Sequence, residues 1–239
     1  MNALSVNIAI TDEGPGLAGT GLVVIWNGIR DDMREDFMEW HPRQHMVERL
    51  GIPGFLRGRR CIALSGSPEF LTVYELREPE VLLTDVYRTR LGNPTAWSTA
   101  TLPAFTDNTR GACRILYTRG YAMGGVMLTL RFTAQEGRSE ALVAALRDDV
   151  MPRFTCRARI TGAHFARNDM ALTGGNAGNQ RGRVIHVPDL VVLVEGSDAA
   201  AVDAAGHELL GDDALVRLGA QPDIARGLYR LEYSIQNLA

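Results

Sequence analysis

One order of secondary structure, strand, helix, strand, strand, helix, strand, occurs twice along this chain of 239 residues. Short apolar runs predict the strands, and apolar residues three or four positions apart predict the helices. In the first half the pattern predicts a strand at Leu22–Trp26, a helix over 30–50, strands at Leu56–Leu64 and Phe70–Leu76, a helix at Pro79–Leu91 and a strand over 112–119. In the second half it predicts the same roles for Val126–Phe132, Ser139–Met151, 157–167, Leu190–Gly196, 198–210 and 226–235.

The spacing of the strands favours an internal duplication with one insertion. The first and third predicted strands lie 48 residues apart in the first half (Val23 to Leu71) and 64 apart in the second (Met127 to Val191). The excess of 16 residues falls in a stretch at 171–189 that is rich in glycine and asparagine. Such a stretch is typical of an extended hairpin loop, so a repeat with one loop insertion is the simplest interpretation.

Each predicted unit has the split βαβ, or ferredoxin-like, arrangement, in which two helices cover one face of a four-stranded antiparallel sheet. The other face is apolar and needs a cover of its own. The predicted fold class is α+β, with two tandem ferredoxin-like β-α-β-β-α-β repeats packed sheet to sheet as an intramolecular α+β barrel. This arrangement predicts an internal or adjacent cavity. The predicted boundaries are 1–20 for an N-terminal leader, 21–120 for repeat 1 and 121–239 for repeat 2.

The basic residues restrict the chemistry, because all 25 of them are arginine and none is lysine. A chain without lysine forms no Schiff base with a carbonyl substrate or pyridoxal phosphate, and it lacks the lysine of a phosphate-binding P-loop. The 28 acidic residues leave a net charge of -3, divided almost evenly between the two halves. This balance argues against a nucleic acid or an anionic membrane as partner.

Apolar segments and cysteines indicate the compartment. No apolar run reaches about 20 residues, the length of a membrane span, and the first residues lack the basic flank of a targeting segment. The chain has three cysteines, Cys61, Cys113 and Cys156. An odd number at such wide spacing fits neither a disulfide framework nor a CxxC metal site. We expect a soluble cytoplasmic protein with buried, reduced thiols.

The candidate catalytic residues begin with His41 and His45, which lie one turn apart on the same side of the first predicted helix. Glu48 extends this face. The three suit proton transfer, because imidazole titrates near neutral pH and a carboxylate can fix its tautomer. They also have the residue types of a two-histidine, one-carboxylate metal set. In the structural alternative, His41 is a solvated helix residue and His45 fills the helix end. Pro42 complicates both chemical interpretations, because it removes a helical hydrogen bond and can bend the segment.

Three arginines follow on the second predicted strand. Arg57 and Arg59 share one face of that strand, and Arg60 points the opposite way. Inside an apolar barrel, a permanently charged, bidentate arginine can anchor a carboxylate or an enolate. The structural alternative is an ion pair with Glu75 or Glu48 at the barrel rim. We predict a catalytic role for Arg59, and substrate binding for Arg57 and Arg60.

Aromatic residues are candidates to line a cavity, although on strands they usually form the core. Trp26 and Tyr74 lie on predicted strands, whereas Trp97 lies in a predicted loop, NPTAW, that has no periodic reason to carry a tryptophan. We predict these three, together with Trp40, as substrate-binding residues. The glycine-rich stretch TGGNAGNQRGR lacks the spacing and the following helix of a phosphate-binding loop, and no G-x-S-x-G elbow is present.

A stretch of the first half carries a signature, FMEWHPRQHMVERLGIPGFLRGRR, in which a helix with a histidine runs into Pro-Gly-Phe. Its distinguishing residues are Phe37, Trp40, His45, Glu48, Arg49, Pro53, Gly54, Phe55, Arg57, Arg59 and Arg60. With NPTAWSTATLPAF, this stretch resembles the EthD-like branch of the dimeric α+β barrel superfamily. The resemblance covers about residues 21–118, and 123–236 only as topology, because the second half lacks the signature. It implies one site per chain and favours His45 over His41.

The superfamily includes cofactor-free monooxygenases, lactone isomerases, dehydratases, haem enzymes and proteins without known activity. The resemblance therefore implies a cofactor-independent isomerase, dehydratase or oxygenase for a small apolar carbonyl or aromatic compound, with His45 moving a proton and arginine holding the anion. Two alternatives stay open: a non-catalytic binding or accessory protein, and a haem protein with His45 or His41 as axial ligand. We expect no resident metal or cofactor, and a fold that is compatible with homo-oligomers.

Overall fold

Eight antiparallel strands form a closed barrel, and the helices pack against its outside. The computed structural model describes residues 14, 16–173, 179–180, 183–184 and 187–237. The strands are β1 (Gly21–Ile29), β2 (Phe55–Gly66), β3 (Phe70–Leu76), β4 (Phe105–Gly120), β5 (Val126–Phe132), β6 (Ile160–Asn168), β7 (Asn179–Gln180), β8 (Arg183–Val184), β9 (Leu190–Gly196) and β10 (Ala225–Gln236). β7 and β8 pair with each other outside the barrel, within the predicted hairpin loop. The α+β class is confirmed, and most of the predicted leader lies outside the described residues.

Short helical segments connect the strands. The α-helices are α1 (Arg34–Trp40), α2 (Met46–Leu50), α3 (Asp85–Gly92), α4 (Ala96–Thr101), α5 (Ser139–Ala145), α6 (Ala199–Leu210) and α7 (Asp212–Leu218). The π-helical turns are His41–His45 and Leu146–Val150. The 3-10 turns are Asp31–Met33, Pro79–Leu83, Leu102–Ala104, Met151–Arg153 and Met170–Thr173. Among the described residues, no helix is long and apolar enough to cross a membrane.

Two predictions about helices were wrong. The single helix predicted at Pro79–Leu91 is a 3-10 turn followed by α3, because the Thr84 hydroxyl caps a new helix by accepting from the Tyr87 N–H. The predicted loop around Trp97 is the start of α4. Here the Thr95 hydroxyl accepts from the Ser98 N–H at 3.1 Å and acts as the N-cap.

The barrel order is β1-β3-β2-β10-β5-β9-β6-β4, closed by the pairing of β4 with β1. Strands from residues 21–120 are therefore contiguous in the order β4-β1-β3-β2, and strands from 126–236 are contiguous in the order β10-β5-β9-β6. Two seams join these groups, β2 with β10 and β4 with β6. The groups meet edge to edge through backbone hydrogen bonds, besides facing each other across the interior.

The three longest strands, β2, β4 and β10, all belong to the seams, where each pairs with both groups. The 16-residue β4 pairs with β1 from Phe105 to Arg114 and with β6 from Cys113 to Gly120. β10 likewise pairs with β5 through its first half and with β2 from Gly227 to Gln236. β4 therefore begins seven residues before the strand predicted over 112–119, and the extra residues pair with β1 of the same group.

Side chains from both groups fill the middle of the barrel. The buried apolar residues there are Leu17, Leu22, Val24, Trp26, Cys61, Leu71, Val73, Cys113, Met127, Ala166, Val191, Leu193 and Tyr229. Cavities of about 410 and 170 Å³ are lined by described residues at opposite ends of the strands. Both agree with the adjacent form of the predicted cavity.

A buried ion network lies at one end of this interior. Arg59 is 1% exposed, and its guanidinium is 2.7 Å from the Glu195 carboxylate and 3.2 Å from that of Glu75. Arg57 donates two hydrogen bonds to Glu75, and His164 Nε2 lies 3.2 Å from Glu195. Burial opposes the charge of Glu195, but Arg59 and His164 hold the pKa of this carboxyl well below its usual range. The predicted ion pair with Glu75 is therefore present, and it engages both Arg57 and Arg59.

The cysteines differ in exposure. Cys61 and Cys113 are buried free thiols, and burial raises the pKa of each to about 12. Cys156 is free but exposed, so the prediction of a buried thiol was wrong at this position. The residue lies in a turn between the Met151–Arg153 segment and β6, where no strand neighbour covers it.

Replacing Arg59 tests whether the ion network supports the barrel. Arg59→Met removes the cation that pairs with the buried carboxylates of Glu75 and Glu195. We expect the free energy of unfolding to fall by about 3 to 5 kcal/mol. Urea denaturation followed by circular dichroism measures this value. The double variant Arg59→Met/Glu195→Met removes one of those carboxylates and should recover part of the loss. Arg147→Met, at an exposed ion pair with Asp148, is the matched control and should change little. Equal effects of Arg59→Met and Arg147→Met would contradict this account.

Candidate active site

The two candidate histidines lie in a π-helical turn that connects α1 to α2. His41 and His45 are the first and last residues of this turn, in which the Met46 N–H donates to the His41 carbonyl. Pro42, the second residue, has no N–H to donate, so it cannot contribute a regular helical hydrogen bond. Turns of this kind are frequent at functional sites. The two imidazole rings lie 5.4 Å apart, and both side chains are buried.

His41 is held between two strands of the barrel wall. Its Nδ1 is 2.7 Å from the Tyr233 hydroxyl on β10, and its Nε2 is 3.3 Å from the Thr72 hydroxyl on β3. Burial lowers the pKa of His41 well below its ordinary value of 6.5, and the nearby charges of Arg60 and Arg49 lower it further. The imidazole is therefore neutral at pH 7, with one nitrogen able to accept a proton.

Two arginines bring positive charge to this histidine. The Arg60 guanidinium lies over the Tyr233 ring, 4.8 Å from its centroid, and donates to Glu232 at 2.8 Å. Its Nη1 is buried and has no hydrogen-bond partner among the described residues, and the same holds for Arg49 Nη1. Such buried, unsatisfied donors are rare, and each usually marks a missing water or ligand.

Tyr74 completes what we call the histidine cluster: His41, Arg49, Arg60, Tyr74 and Tyr233. The Tyr74 hydroxyl is buried without a hydrogen-bond partner among the described residues, and burial raises its pKa. Tyr74 lies on β3 beside Gly58 of β2, two positions along the pair from Arg60. The cluster thus combines a neutral base, two cations and two phenols at the outer face of the barrel, under the first helix.

His45 and Glu48 have other neighbours. The His45 ring lies 4.4 Å from the Trp40 ring, and Trp40 donates to the Ser98 hydroxyl of α4 at 3.2 Å. Glu48 accepts from Gln44 at 3.1 Å and is 3.9 Å from Arg90. Within the described ranges, no group of three or more histidine, cysteine, aspartate or glutamate side chains could hold a metal ion. The metal alternative therefore has no ligand set there.

The other predicted site residues are divided between two regions. His41, His45, Trp40, Arg60 and Tyr74 lie between the first helix and the outer face of the barrel. Trp26, Arg57 and Arg59 point into the barrel interior or its ion network, so they do not meet the histidines. Trp97 is 37% exposed on α4, and the expectation that it marks a functional loop rested on a wrong secondary structure.

Tyr233 and Thr72 were not predicted. Both contact His41 but lie 192 and 31 positions away in the chain. Alternation along β10 would place Tyr233 on the same face as Tyr229, which is inside the barrel. A register shift between Leu231 and Tyr233 turns the Tyr233 side chain to the outside of the barrel. There it packs on the cluster that includes Met46 and Tyr74. No simple sequence signal marks this bulge.

Comparison with known proteins shows a shared fold. No family model and no curated protein matches the chain. An anthrone oxidase-like protein of known structure superposes with a TM-score of 0.62 at 11% identity, covering 96% of this chain and 97% of its own. A proposed monooxygenase from Lactobacillus acidophilus gives 0.58 at 9% identity, with coverage of 91% and 97%. A proposed monooxygenase from Fusobacterium nucleatum gives 0.56 at 6% identity, with coverage of 91% and 95%. The chain is similar to these proteins in fold over nearly its whole length.

The lowered pKa of His41 predicts a pH dependence of stability. Below pH 6.5 the unfolded chain protonates this imidazole while the folded chain does not, so stability is full above pH 6.5 and is lost as the pH falls. The loss reaches about 1.4 kcal/mol per pH unit for one such group. Urea denaturation at pH 6.5, 5.8 and 5.2 should show a shallower slope for His41→Asn than for the wild type.

An exposed histidine provides the control for this experiment. His207 has a side chain that is 62% exposed, so His207→Asn should keep the wild-type slope. An NMR titration in which the His41 ring protonates between pH 6 and 7 in the folded protein would contradict a buried neutral imidazole.

Proposed function

We propose that this chain is a cofactor-independent oxidase or monooxygenase for a small aromatic ketone or phenol, with His41 as the base. One observation carries the proposal: a buried, neutral imidazole, hydrogen-bonded to Tyr233, lies beside two arginines that each have an unsatisfied buried N–H. The names of the structural neighbours, anthrone oxidase-like and proposed monooxygenase, agree with this class of reaction. His41 takes the role that the sequence had favoured for His45.

The reaction begins with removal of a proton from a carbon that is acidic because its anion is conjugated with the carbonyl group, as at the methylene carbon of an anthrone. His41 Nε2, whose contact with Thr72 is long at 3.3 Å, accepts this proton while Nδ1–H donates to the Tyr233 hydroxyl. Arg60 and Arg49 stabilise the resulting enolate through their unpaired N–H groups. Molecular oxygen, the co-substrate, then oxidises the enolate. At a methylene carbon, the methylene group and one molecule of oxygen give a carbonyl group and one molecule of water, so no external reductant is needed.

A fused duplication and membership of the EthD-like branch are part of the proposal. The same neighbour order in the two groups of strands supports the duplication, and so does a π-helical turn in each half, at His41–His45 and Leu146–Val150. The second turn begins with Leu146, which is fully buried in an apolar cluster. The chain would therefore have one site. Cytoplasmic localisation and homo-oligomerisation stay predictions.

A non-catalytic binding protein is the second candidate, and the burial of the histidines restricts access for both candidates. His41 is 3% and His45 is 8% exposed, so a ligand reaches them only when the covering segments move. Haem ligation is a weaker candidate, because both nitrogens of His41 already face hydroxyl groups.

Oxygen consumption with anthrone as the probe substrate tests the catalytic proposal. His41→Asn should lower kcat by at least about 100-fold, because it removes the base. Tyr233→Phe should have a smaller effect on kcat, since the phenol only orients the imidazole, and should move the acidic limb of the pH profile. His45→Asn should affect KM more than kcat, and His207→Asn should affect neither. Full turnover by His41→Asn would contradict the proposal, whereas binding of anthrone without oxygen uptake would favour the second candidate.

A further inference from the structure

The 410 Å³ cavity lies at the end of the barrel where β5 ends and β9 and β10 begin. The residues that line it are Ser67, Pro68, Asp107, Thr109, Arg131, Phe132, Thr133, Val187, Pro188, Asp223 and Ala225. None of them belongs to the histidine cluster, and the proposed reaction uses none of them. Val187 and Pro188 come from the end of the insertion that lengthens the second half.

Arg131 is the only cation among these residues, and its position is fixed. The guanidinium lies over the Trp26 ring, 4.7 Å from its centroid, and Nη2 donates to the Ser67 carbonyl at 3.0 Å. Trp26 is itself fixed by a hydrogen bond from its indole N–H to the Thr129 hydroxyl at 3.1 Å. The guanidinium is thus oriented by a stacked ring and a backbone carbonyl before any ligand arrives.

The charge of Arg131 is not neutralised by a carboxylate of the described residues. Its contacts are the Trp26 ring and the Ser67 carbonyl, and neither Asp107 nor Asp223 forms an ion pair with it. Partial burial lowers the pKa of Arg131 from its ordinary value. An arginine stays protonated under these conditions. A bound anion would therefore neutralise its charge and accept its remaining hydrogen bonds.

The remaining lining residues select among anions. Pro68 and Pro188 give the cavity apolar walls, whereas Asp107 and Asp223 are exposed carboxylates among the lining residues. Asp107 has a φ of 48° and lies where the pairing of β4 with β1 shifts register between Trp26 and Gly28, so a bulge in β4 sets its position. Two acidic groups beside one cation disfavour a dianion and accept hydrogen bonds from a hydroxyl or an ammonium group.

We propose that this end of the barrel is a second binding site, for a small monocarboxylate with an apolar or aromatic body and a hydrogen-bond donor at its far end. The carboxylate binds Arg131, the body packs between Pro68 and Pro188, and the donor faces Asp107 and Asp223. An aromatic hydroxy acid or a small aromatic amino acid has this chemistry.

Isothermal titration with 4-hydroxybenzoate and its uncharged analogue 4-hydroxybenzamide tests the site. We expect the carboxylate to bind at least about ten-fold more tightly than the amide, because only the carboxylate makes charge-assisted hydrogen bonds with Arg131. Arg131→Gln should remove this preference. Arg30→Gln, which also removes one positive charge but at an exposed pair with Asp32, should keep it.

Two further measurements separate this site from the proposed active site and from unspecific anion binding. His41→Asn should retain the preference for the carboxylate, whether or not the chain oxidises anthrone. Pro188→Trp, which narrows the cavity without changing charge, should weaken 4-hydroxybenzoate binding. Equal affinity for the two probes in the wild type, a preserved preference in Arg131→Gln, or equally effective competition by inorganic phosphate would each overturn the proposal.

Discussion

Backbone pairing between β2 and β10 determines most of what is distinctive in this molecule. The pairing extends from Arg57 opposite Gln236 to Gly66 opposite Gly227. The first and second halves therefore share one continuous, hydrogen-bonded wall of the barrel. This seam brings Tyr233 to His41 and Glu232 to Arg60. The candidate active site is therefore completed by the second half, although the histidines belong entirely to the first. Inside the barrel, Arg59 and Glu195 make a second connection between the halves.

The two halves use the same space between helix and sheet differently. In the second half, the helices cover the sheet through an almost wholly apolar cluster that includes Leu142, Leu146 and Phe154. In the first half, the corresponding space holds two histidines, and arginines with unsatisfied donors. Buried polar atoms without partners also occur in the second half, at Arg226 Nη1 and Thr161 Oγ1, so what distinguishes the first half is that its unsatisfied arginine donors lie beside buried histidines.

The sequence predicted the elements that depend on local periodicity, and it failed where distant parts of the chain meet. The order of strands along the chain follows from the apolar runs, and the opposite directions of Arg59 and Arg60 follow from the alternation of side chains along a strand. Both agree with the structure. The bulge that turns Tyr233 outwards depends on pairing with β2, and no local pattern encodes it. Glu195 as the partner of Arg59 was likewise missed, since the two lie on strands from different halves. Thr84 and Thr95 are residues of a type that caps helices, whereas the apolar pattern around them does not mark where α3 and α4 begin.

The β2–β10 seam also affects how the chain reaches its folded state. It pairs residues from near the two ends of the barrel sequence, Arg57 with Gln236 and Gly66 with Gly227, so it requires the costly closure of a long loop. Until this loop closes, β2 and β10 expose the edges that later pair with each other. A second chain at the same stage presents the same complementary edges. Concentrated refolding therefore favours exchange of halves between two chains, and the product would be an intertwined dimer whose histidine clusters each combine residues from both chains.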